Sequence, residues 1–229
     1  MTEKTKSKSP RQGSREQKIL FAARQLFSTR GYDAVSMNAI AARAGVSKAN
    51  IFHHFSSKEA LYIEVLRGAC SNFGPLVEAG FAGRGRLGAR LTRFSRGHME
   101  TLFEDERRTR LVMREVLDNG QRRGHQLAER VFGRNFSQLV EHVRESQRCG
   151  DVRKNLDPAI VAGMLLSANV TFFLWRDVIR YLPEVRFTDN PERYASQCCD
   201  VLVNGIAACK KAAAGTKNSA SARRSVVRG

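Results

Sequence analysis

The sequence lacks the features that mark most secreted or catalytic proteins. Its five cysteines show neither CxxC nor Cys/His ligand spacing, so neither a disulfide framework nor a metal site is expected. The amino terminus is charged and has no apolar core, unlike a secretory signal peptide. No G-x-S-x-G motif, Gly-rich phosphate loop or H-E-x-x-H motif occurs. We therefore expect a cytoplasmic protein with reduced thiols that is not an enzyme and holds no cofactor.

Long apolar runs and β-strand patterns are also missing. The longest apolar stretch, residues 159–175, contains Ser167, Asn169 and Thr171 and is slightly short for a membrane span. It predicts a buried helix instead. No segment alternates apolar and polar residues as a strand would, and no internal repeat is found. The fold class predicted is therefore all-α.

Acidic residues are scarce at the two ends of the chain. The formal charge is +17, and residues 1–66 hold 11 Lys/Arg against 5 Asp/Glu. Residues 210–229 hold 6 Lys/Arg and no acid, whereas residues 67–209 are closer to balance, with 22 against 17. Basic ends favour a polyanionic partner such as nucleic acid. Solubility-enhancing tails are the alternative interpretation.

The most informative segment is SMNAIAARAGVSKANIFHHFSSK, residues 36–58. Ile40 opens an apolar helical face, and Gly45 stands where that helix must end and the chain reverse, a place that favours glycine. Ser47 is a good N-cap for a second helix with Ile51 and Phe55 on its buried side. The pattern predicts a helix-turn-helix, whose second helix enters the major groove of DNA.

The exposed side of that second helix carries donors and cations. Lys48 and Asn50 are the candidates for reading bases, since lysine reaches guanine and asparagine pairs with adenine. Ala49 can meet a thymine methyl group. Phosphate contacts are expected from side chains late in the helix or at helix N-termini, namely His53, His54, Ser36 and Lys58. For Ser36, a plain N-cap role is the equal alternative.

This segment resembles the DNA-binding motif of the tetracycline-repressor (TetR) family of bacterial regulators. That motif typically shows Thr or Ser, then I-A-x-x-A-G-V-S, an aromatic residue, His-Phe and a lysine that opens the next helix. The matching residues here are Ser36, 40–47, Phe52, 54–55 and Lys58. The family usually has tyrosine at the position of Phe52, where the hydroxyl commonly meets a phosphate, a bond that Phe52 cannot make.

The resemblance implies two domains and a small-molecule effector. We predict a disordered basic arm over 1–13, a helix-turn-helix domain over 14–66, a helical effector-binding and dimerisation domain over 67–209, and a disordered basic tail over 210–229. Some large side chains of the middle helices are expected to line an effector cavity. The candidates are Phe94, Met113, Leu117, Phe132, Phe136, Met164, Asn169, Phe172 and Phe173.

Several alternatives remain open at this stage. Asn169 and Thr171 need polar partners, which either a neighbouring helix or an effector can supply. The apolar bias favours a hydrophobic or amphipathic effector, although arginines on the middle helices (Arg90, Arg93, Arg96, Arg114) could accept an anionic one. The expected function is a homodimeric repressor that an effector releases from a palindromic operator. The alternative is a sequence-tolerant, DNA-coating protein.

Overall fold

The computed structural model describes residues 10–83 and 85–206, with side chains from residue 15 onward. These residues form ten α-helices and no strand, as the all-α prediction requires. The helices are α1 (Pro10–Arg30), α2 (Met37–Ala44), α3 (Lys48–His54), α4 (Lys58–Ala69), α5 (Phe73–Phe81), α6 (Leu87–Glu104), α7 (Glu106–Leu127), α8 (Gly133–Arg148), α9 (Pro158–Ile179) and α10 (Pro191–Ile206). The predicted tail over 210–229, and residues 1–9 of the predicted arm, lie outside the described residues.

Helices α1 to α4 form an N-terminal unit around one apolar core. Ile19, Ala23 and Phe27 of α1 are fully buried, and Ile40 of α2 and Ile51 of α3 pack into the same cluster. Helix α1 begins at Pro10 and not at the capping-box position Ser14 that the sequence suggested. Residues 10–13 are therefore helical in this structure, which corrects the predicted extent of the arm.

The turn between α2 and α3 has the predicted geometry. Gly45 adopts φ 64° and ψ 37°, in the left-handed region where a side chain would be strained. Its N–H closes α2 by bonding back to Ala42. Ser47 then caps α3, because its side chain accepts a hydrogen bond from the Asn50 N–H at 3.1 Å. These two residues set where α3 begins and hence which of its residues face outward.

Helices α5 to α10 form a C-terminal unit with its own core. Phe94 of α6, Leu139 of α8 and Ala162 of α9 are fully buried in the largest cluster of this unit. A smaller cluster joins Met99 of α6 to Phe172 of α9 and Ala195 of α10. Helix α6 therefore packs against both α9 and α10 and lies at the centre of this unit.

Several helix boundaries differ from the sequence-based expectation. Ser57, not Ser56, caps α4, and that helix ends at Ala69 instead of continuing towards Gly74. A separate helix, α5, begins at Phe73, and the Gly74-Pro75 pair lies in its first turn. Proline is tolerated there because the first N–H groups of a helix have no intrahelical partner. Helix α9 ends at Ile179, three residues before the predicted end.

The sequence predicts separate amphipathic helices at about 107–117 and 126–147, but the two are continuous in the structure. Helix α7 runs through Leu127 into a π-helical turn, Ala128–Phe132, and then directly into α8. Gly120 and Gly124, which lie between the two predicted stretches, are both inside α7. Packing of the flanking helical faces outweighs the low helix propensity of the two glycines.

Helix α9 is the single described helix that is long and apolar enough to cross a membrane. This statement rests on length and hydropathy alone, and one such helix is weak evidence for a membrane protein. Val161, Leu165 and Phe172 of α9 are buried against the other helices of the C-terminal unit. One third of the apolar window is buried in the single chain, so the expectation of a buried helix holds for one face of α9, whereas its other face is exposed.

Candidate nucleic-acid interface and effector cavity

Helix α3 exposes most of its polar residues. Lys48 and Ala49 are exposed at its N-terminal turn, and Asn50 is half-buried beside them. The side-chain carbonyl oxygen of Asn50 is buried and has no hydrogen-bond partner among the described residues. The helix is anchored from below by Ile51, which is fully buried. Lys48 is thus presented on the exposed end of a short, well-anchored helix, whereas Asn50 must turn its side-chain carbonyl outward before it can pair with adenine.

The aromatic residues at the end of α3 face solvent to different extents. Phe52 is 45% exposed, and His53 is exposed beside it. His54 is half-buried, and its ring lies 5.3 Å from that of His53 in an edge-to-face arrangement. The two imidazoles therefore do not converge on one point, in line with their separation of about 100° on a helix.

Ser36 and Lys58 have intramolecular partners in the free protein. The Ser36 side chain accepts a hydrogen bond from the Ala39 N–H at 3.1 Å, which is the N-cap role. The Lys58 ammonium donates to the Asp33 carbonyl at 3.3 Å and lies 4.3 Å from the centre of the Tyr32 ring. A phosphate contact by Lys58 would have to be made alongside this cation–π contact or replace it.

A cavity of about 300 Å³ opens between α4, α5, α6, α7, α8 and α9. Most of its wall is apolar, and its volume is at the lower end of the range for small-molecule sites. The lining residues are Ala69, Cys70, Asn72, Phe73, His98, Thr101, Leu102, Arg108, Thr109, Val112, Met113, Phe132, Asn135, Phe136, Leu166 and Val170.

Three of the nine predicted effector residues line this cavity, namely Met113, Phe132 and Phe136. The other six do not. Leu117 lies on the outer surface of α7 with 73% of its side chain exposed, because the helix turns it away from the C-terminal unit. Phe94, Phe172 and Phe173 are core residues that fill space between helices.

Met164 and Asn169 are the remaining two predicted effector residues that do not line the cavity. Met164 is 51% exposed and lines a second, shallower groove between α9 and α10. Asn169 is fully buried, and its polar atoms bond to Ser95 of α6. The structural alternative for Asn169, a neighbouring helix as partner, is therefore the observed one. Thr171 is exposed on the outer face of α9 and not in the cavity.

The arginines considered for an anionic effector are engaged elsewhere. Arg90 pairs with Asp151, and Arg96 pairs with Glu192. Arg93 donates to the carbonyl of Ala82 at 2.9 Å, near the end of α5. Arg114 is exposed, and none of the four lines the cavity. The arginine that does line it, Arg108, was missed because it occupies an otherwise ordinary charged stretch, ERRTR.

Sequence reasoning also missed His98 as a cavity residue. Its position on α6 gave no signal, since a lone histidine on an apolar face is usually a core residue. In the structure it is buried, with its ring stacked on Phe94 and edge-on to Phe73. Burial lowers the pKa of His98 to about 4, so the ring is neutral at physiological pH.

Helix α7 links the cavity to the N-terminal unit. Val112 lines the cavity and is also buried in the core cluster of α1 to α4, and Met113 packs against the same cluster. Three residues further along, Glu115 is buried and accepts a hydrogen bond from the Tyr62 hydroxyl of α4 at 3.0 Å. A ligand that displaces this part of α7 must therefore disturb the core beneath the helix-turn-helix.

The exposed face of α9 carries a stripe of large apolar side chains. Its members recur at helical spacing and are at least one-third exposed: Ile160, Met164, Leu174, Trp175 and Val178, followed by Tyr181 and Leu182. Ser167 and Thr171 lie within the same stripe and are also exposed. An apolar surface of this length on a single chain is typical of a protein–protein interface.

In the N-terminal unit, α2 and α3 are joined by a tight turn at Gly45, and α3 exposes polar residues. This arrangement defines the helix-turn-helix class of protein. Residues 19–65 match the sequence model of "Bacterial regulatory proteins, tetR family". The transcriptional activator FasR of Mycolicibacterium smegmatis is 52% identical over 58 residues, which are 25% of this chain and 26% of FasR. The transcriptional regulator RutR of Escherichia coli is 49% identical over 65 residues, 28% of this chain and 31% of RutR.

Both alignments thus span less than a third of the relatives' lengths. The whole fold is similar to the crystal structure of a TetR-family transcriptional regulator from Mesorhizobium loti, with a TM-score of 0.68 and 22% identity. That similarity covers 87% of this chain and all of the other. Residues 19–65 therefore form a helix-turn-helix domain of the TetR type, and the fold of the described chain is that of a TetR-family regulator.

Proposed function

We propose that the chain is a homodimeric repressor that binds a palindromic DNA operator through α3 and is released when a small apolar molecule occupies the cavity. The observation that carries the proposal is the double role of α7. The same turn of this helix forms part of the cavity wall and part of the core that supports α1 to α4. Domains over 14–66 and 67–209 then have the separate tasks of binding DNA and of binding effector and partner.

DNA recognition follows from the exposed face of α3. Lys48 and Asn50 read base edges, and Ala49 lies close enough to the groove floor to meet a thymine methyl group. Ser36, Phe52, His53, His54 and Lys58 surround them and contact the sugar-phosphate backbone. Phe52 does so through apolar contact with sugar, because it lacks the hydroxyl for a phosphate bond.

Dimerisation follows from the apolar stripe on α9 together with α10. A second copy of the chain is the occupant that this stripe suits, because a two-fold axis lets the same patch cover itself. Two recognition helices related by that axis then meet successive major grooves about 34 Å apart. If the separation of the two recognition helices changes by roughly a few ångströms, one of them no longer fits the major groove of its half-site.

The effector acts through its different affinity for two dimer states. In the DNA-bound state α7 holds the position seen here, or one close to it, against α4. An effector that binds more tightly when α7 has shifted drives the population away from the DNA-bound state. To move the dimer from mostly DNA-bound to mostly released, the effector must bind the released state on the order of 10⁴-fold more tightly than the DNA-bound state.

The test begins with selection of operator fragments by the purified protein from the genome of its own organism. A regulator retains a single palindromic sequence against excess random DNA, with a specificity ratio of at least about 10³. Loss of that fragment to the random competitor would favour the DNA-coating alternative, which the family match does not support. Footprinting then shows whether two half-sites are protected, as a dimer requires.

A further inference from the structure

The amide of Asn169 determines which nitrogen of His98 carries the proton. Nδ2 of Asn169 donates to the Ser95 backbone carbonyl at 2.8 Å, and the Ser95 hydroxyl donates to Oδ1 at 3.0 Å. Because a carbonyl can only accept, the orientation of the amide follows from this pair of bonds. The same Nδ2 lies 3.3 Å from Nδ1 of His98. Nδ1 must therefore be the acceptor.

His98 consequently presents a neutral N–H donor at its other nitrogen. The ring is buried between aromatic side chains and stays uncharged, so its single proton is on Nε2. Within the part of the chain that the structure describes, Nε2 has no hydrogen-bond partner, whereas the residue lines the cavity. Nε2 is not among the fully enclosed atoms that lack a partner, so it is open to the cavity, and its hydrogen bond is available to a molecule there, whether water or ligand.

Most other polar groups of the wall already have partners, and the exception is Asn72, an exposed residue at the start of α5 whose side chain makes no capping hydrogen bond. The hydroxyls of Thr101 and Thr109 donate to the carbonyls of Gly97 and Leu102, at 2.9 and 2.8 Å. Asn135 donates to the carbonyl of Cys70 at 3.1 Å. These bonds lie within the protein and tie neighbouring helices or turns together. They leave His98 as the buried neutral donor that the wall offers to a ligand.

The charges of the wall are also balanced. Arg108 lies 3.6 Å from Glu104 and donates to the carbonyl of Thr101 at 3.3 Å. Burial raises the pKa of the Cys70 thiol to about 11, so it remains uncharged. A carboxylate placed beside neutral His98 would lose its hydration and would have to compete with Glu104 for Arg108, the cation of the wall. A cationic head group would meet an N–H donor instead of an acceptor.

We infer that His98 is the polar anchor of the effector, and that the effector is an uncharged, mainly apolar molecule whose carbonyl oxygen accepts a hydrogen bond from Nε2. The inference rests on the proposed function, since it concerns the same cavity. Asn169 and Ser95 act as positioning residues, because they hold the imidazole in the tautomer that donates. Specificity then comes from one hydrogen bond within an apolar wall.

Three probes of similar size test the chemical class. Propiophenone carries a carbonyl, propylbenzene lacks any acceptor, and 3-phenylpropanoate carries a carboxylate. Calorimetric titration of the full chain should show propiophenone binding about five- to tenfold more tightly than propylbenzene, the usual net effect of one hydrogen bond. Binding of 3-phenylpropanoate should be weaker than that of propiophenone. Equal binding of all three, or preference for the carboxylate, overturns the inference.

Substitutions test the anchor itself. His98→Phe keeps the ring stack on Phe94 but removes the donor, so propiophenone should lose its advantage over propylbenzene. His98→Gln places an amide N–H near the position of Nε2 and should restore part of it. His125→Gln, at an exposed histidine of α7, is the matched control and should leave both affinities unchanged. An unchanged propiophenone advantage in His98→Phe would refute the anchor.

Nuclear magnetic resonance of the ¹⁵N-histidine-labelled wild type gives a readout that does not depend on a variant folding. One histidine should show the neutral Nε2–H tautomer at pH 7, and its Nε2 resonance should shift with propiophenone and not with propylbenzene. An Nδ1–H tautomer for this residue overturns the inference. Saturable binding of propylbenzene alone leaves the proposed effector cavity standing while refuting the anchor, whereas no saturable binding of any probe refutes both.

Discussion

The Tyr62 hydroxyl donates a hydrogen bond of 3.0 Å to the carboxylate of Glu115, and this bond joins α4 to α7. Glu115 is buried and also accepts from Asn119 at 2.9 Å and from Arg123 at 3.3 Å. Burial and the adjacent carboxylate raise the pKa of Tyr62, so it keeps the proton that it donates. Displacing α7 from α4 would remove the Tyr62 bond, whereas Asn119 and Arg123 lie on α7 and would move with Glu115, so the Tyr62 hydroxyl is the donor to this carboxylate that depends on the position of α7.

Tyr62→Phe should weaken this junction. Removing the hydroxyl leaves Glu115 with one donor fewer, at an expected cost of about 1–3 kcal/mol in the free energy of unfolding. The effector should then release DNA at lower concentration, because the DNA-bound position of α7 is stabilised by one hydrogen bond fewer. Urea unfolding and an operator-release titration measure the two effects. Tyr194→Phe is the matched control, since that hydroxyl bonds to Ala168 within the C-terminal unit at 3.2 Å. If Tyr62→Phe and Tyr194→Phe release the operator at the same effector concentration, the Tyr62–Glu115 bond does not couple the cavity to the DNA-binding unit.

Asn50→Ala and Lys48→Ala should reduce binding to the operator more than to random DNA. Removing the hydrogen bonds from either side chain to a base edge is expected to cost about 1–3 kcal/mol in operator affinity. Fluorescence anisotropy on both DNAs at one fixed salt concentration measures the difference. Lys154→Ala removes an exposed lysine from the C-terminal unit and serves as the charge-matched control for Lys48→Ala. Equal reductions on operator and random DNA would show that these two residues touch only the backbone.

Met113→Trp should fill the cavity and abolish effector response. The larger side chain occupies space that the effector needs, with a stability change of about 1–3 kcal/mol if the wall must also move. Leu117→Trp is the control on the same helix, because Leu117 is exposed one turn further along. Operator binding without effector should survive in both variants, as measured by gel shift. A full effector response in Met113→Trp would place the effector outside this cavity.

Val178→Glu should prevent dimerisation. A charge in the C-terminal part of the apolar stripe, between Trp175 and Tyr181, would be buried in the dimer, which costs several kcal/mol of association free energy if it finds no partner. Sedimentation should show a monomer, and operator affinity should fall with it. Trp175 is the sole tryptophan of the chain and lies in this stripe, so its emission should shift to the red on dissociation. A dimeric Val178→Glu protein would move the interface away from α9.

Stability should fall as the pH drops from about 6.5 to about 4. The pKa of His98 is lowered from 6.5 to about 4 by burial, so in this window the unfolded chain binds a proton that the folded chain does not. Unfolding stability therefore rises with pH here, by at most roughly 1.4 kcal/mol per pH unit for one group. Urea unfolding at pH 5 and pH 7 compares the wild type with His98→Phe. The difference in the free energy of unfolding between wild type and His98→Phe should be smaller at pH 5 than at pH 7. The same difference at both pH values would mean that His98 does not titrate in this window.

The helix-turn-helix could be read from sequence because local chemistry determines it. Gly45 and Ser47 act on their own neighbours, and the apolar positions follow the helical period. The helix α5 was missed because Phe73 to Phe81 is short and includes Gly74-Pro75, which usually marks a turn. Its formation depends on tertiary packing against α6, of which the sequence pattern carries no local sign.

The cavity could be predicted only in part, for a similar reason. Large apolar side chains look alike in sequence whether they fill a core, like Phe172, or line a space, like Phe132. Which of them faces a space depends on the relative rotation of helices, and that rotation is set by contacts between residues far apart in the chain. His98 shows the same limit, because its role depends on Asn169, which lies 71 residues away.

The π-helical turn at Ala128–Phe132 interrupts a helix that serves two cores. Before it, Leu127 packs with the N-terminal cluster, and after it Leu139 packs with the C-terminal cluster. The turn needs glycine at position 133, where a Cβ atom would lie 2.5 Å from the Ala128 carbonyl oxygen. A five-residue π turn rotates the chain about as far as four α-helical residues, so it absorbs one extra residue, and deleting Arg130 would restore regular α-helix with nearly the same orientation of α8 relative to α7. A single deletion between 128 and 132 should therefore be better tolerated than a further insertion there, which would rotate α8 by about 100°.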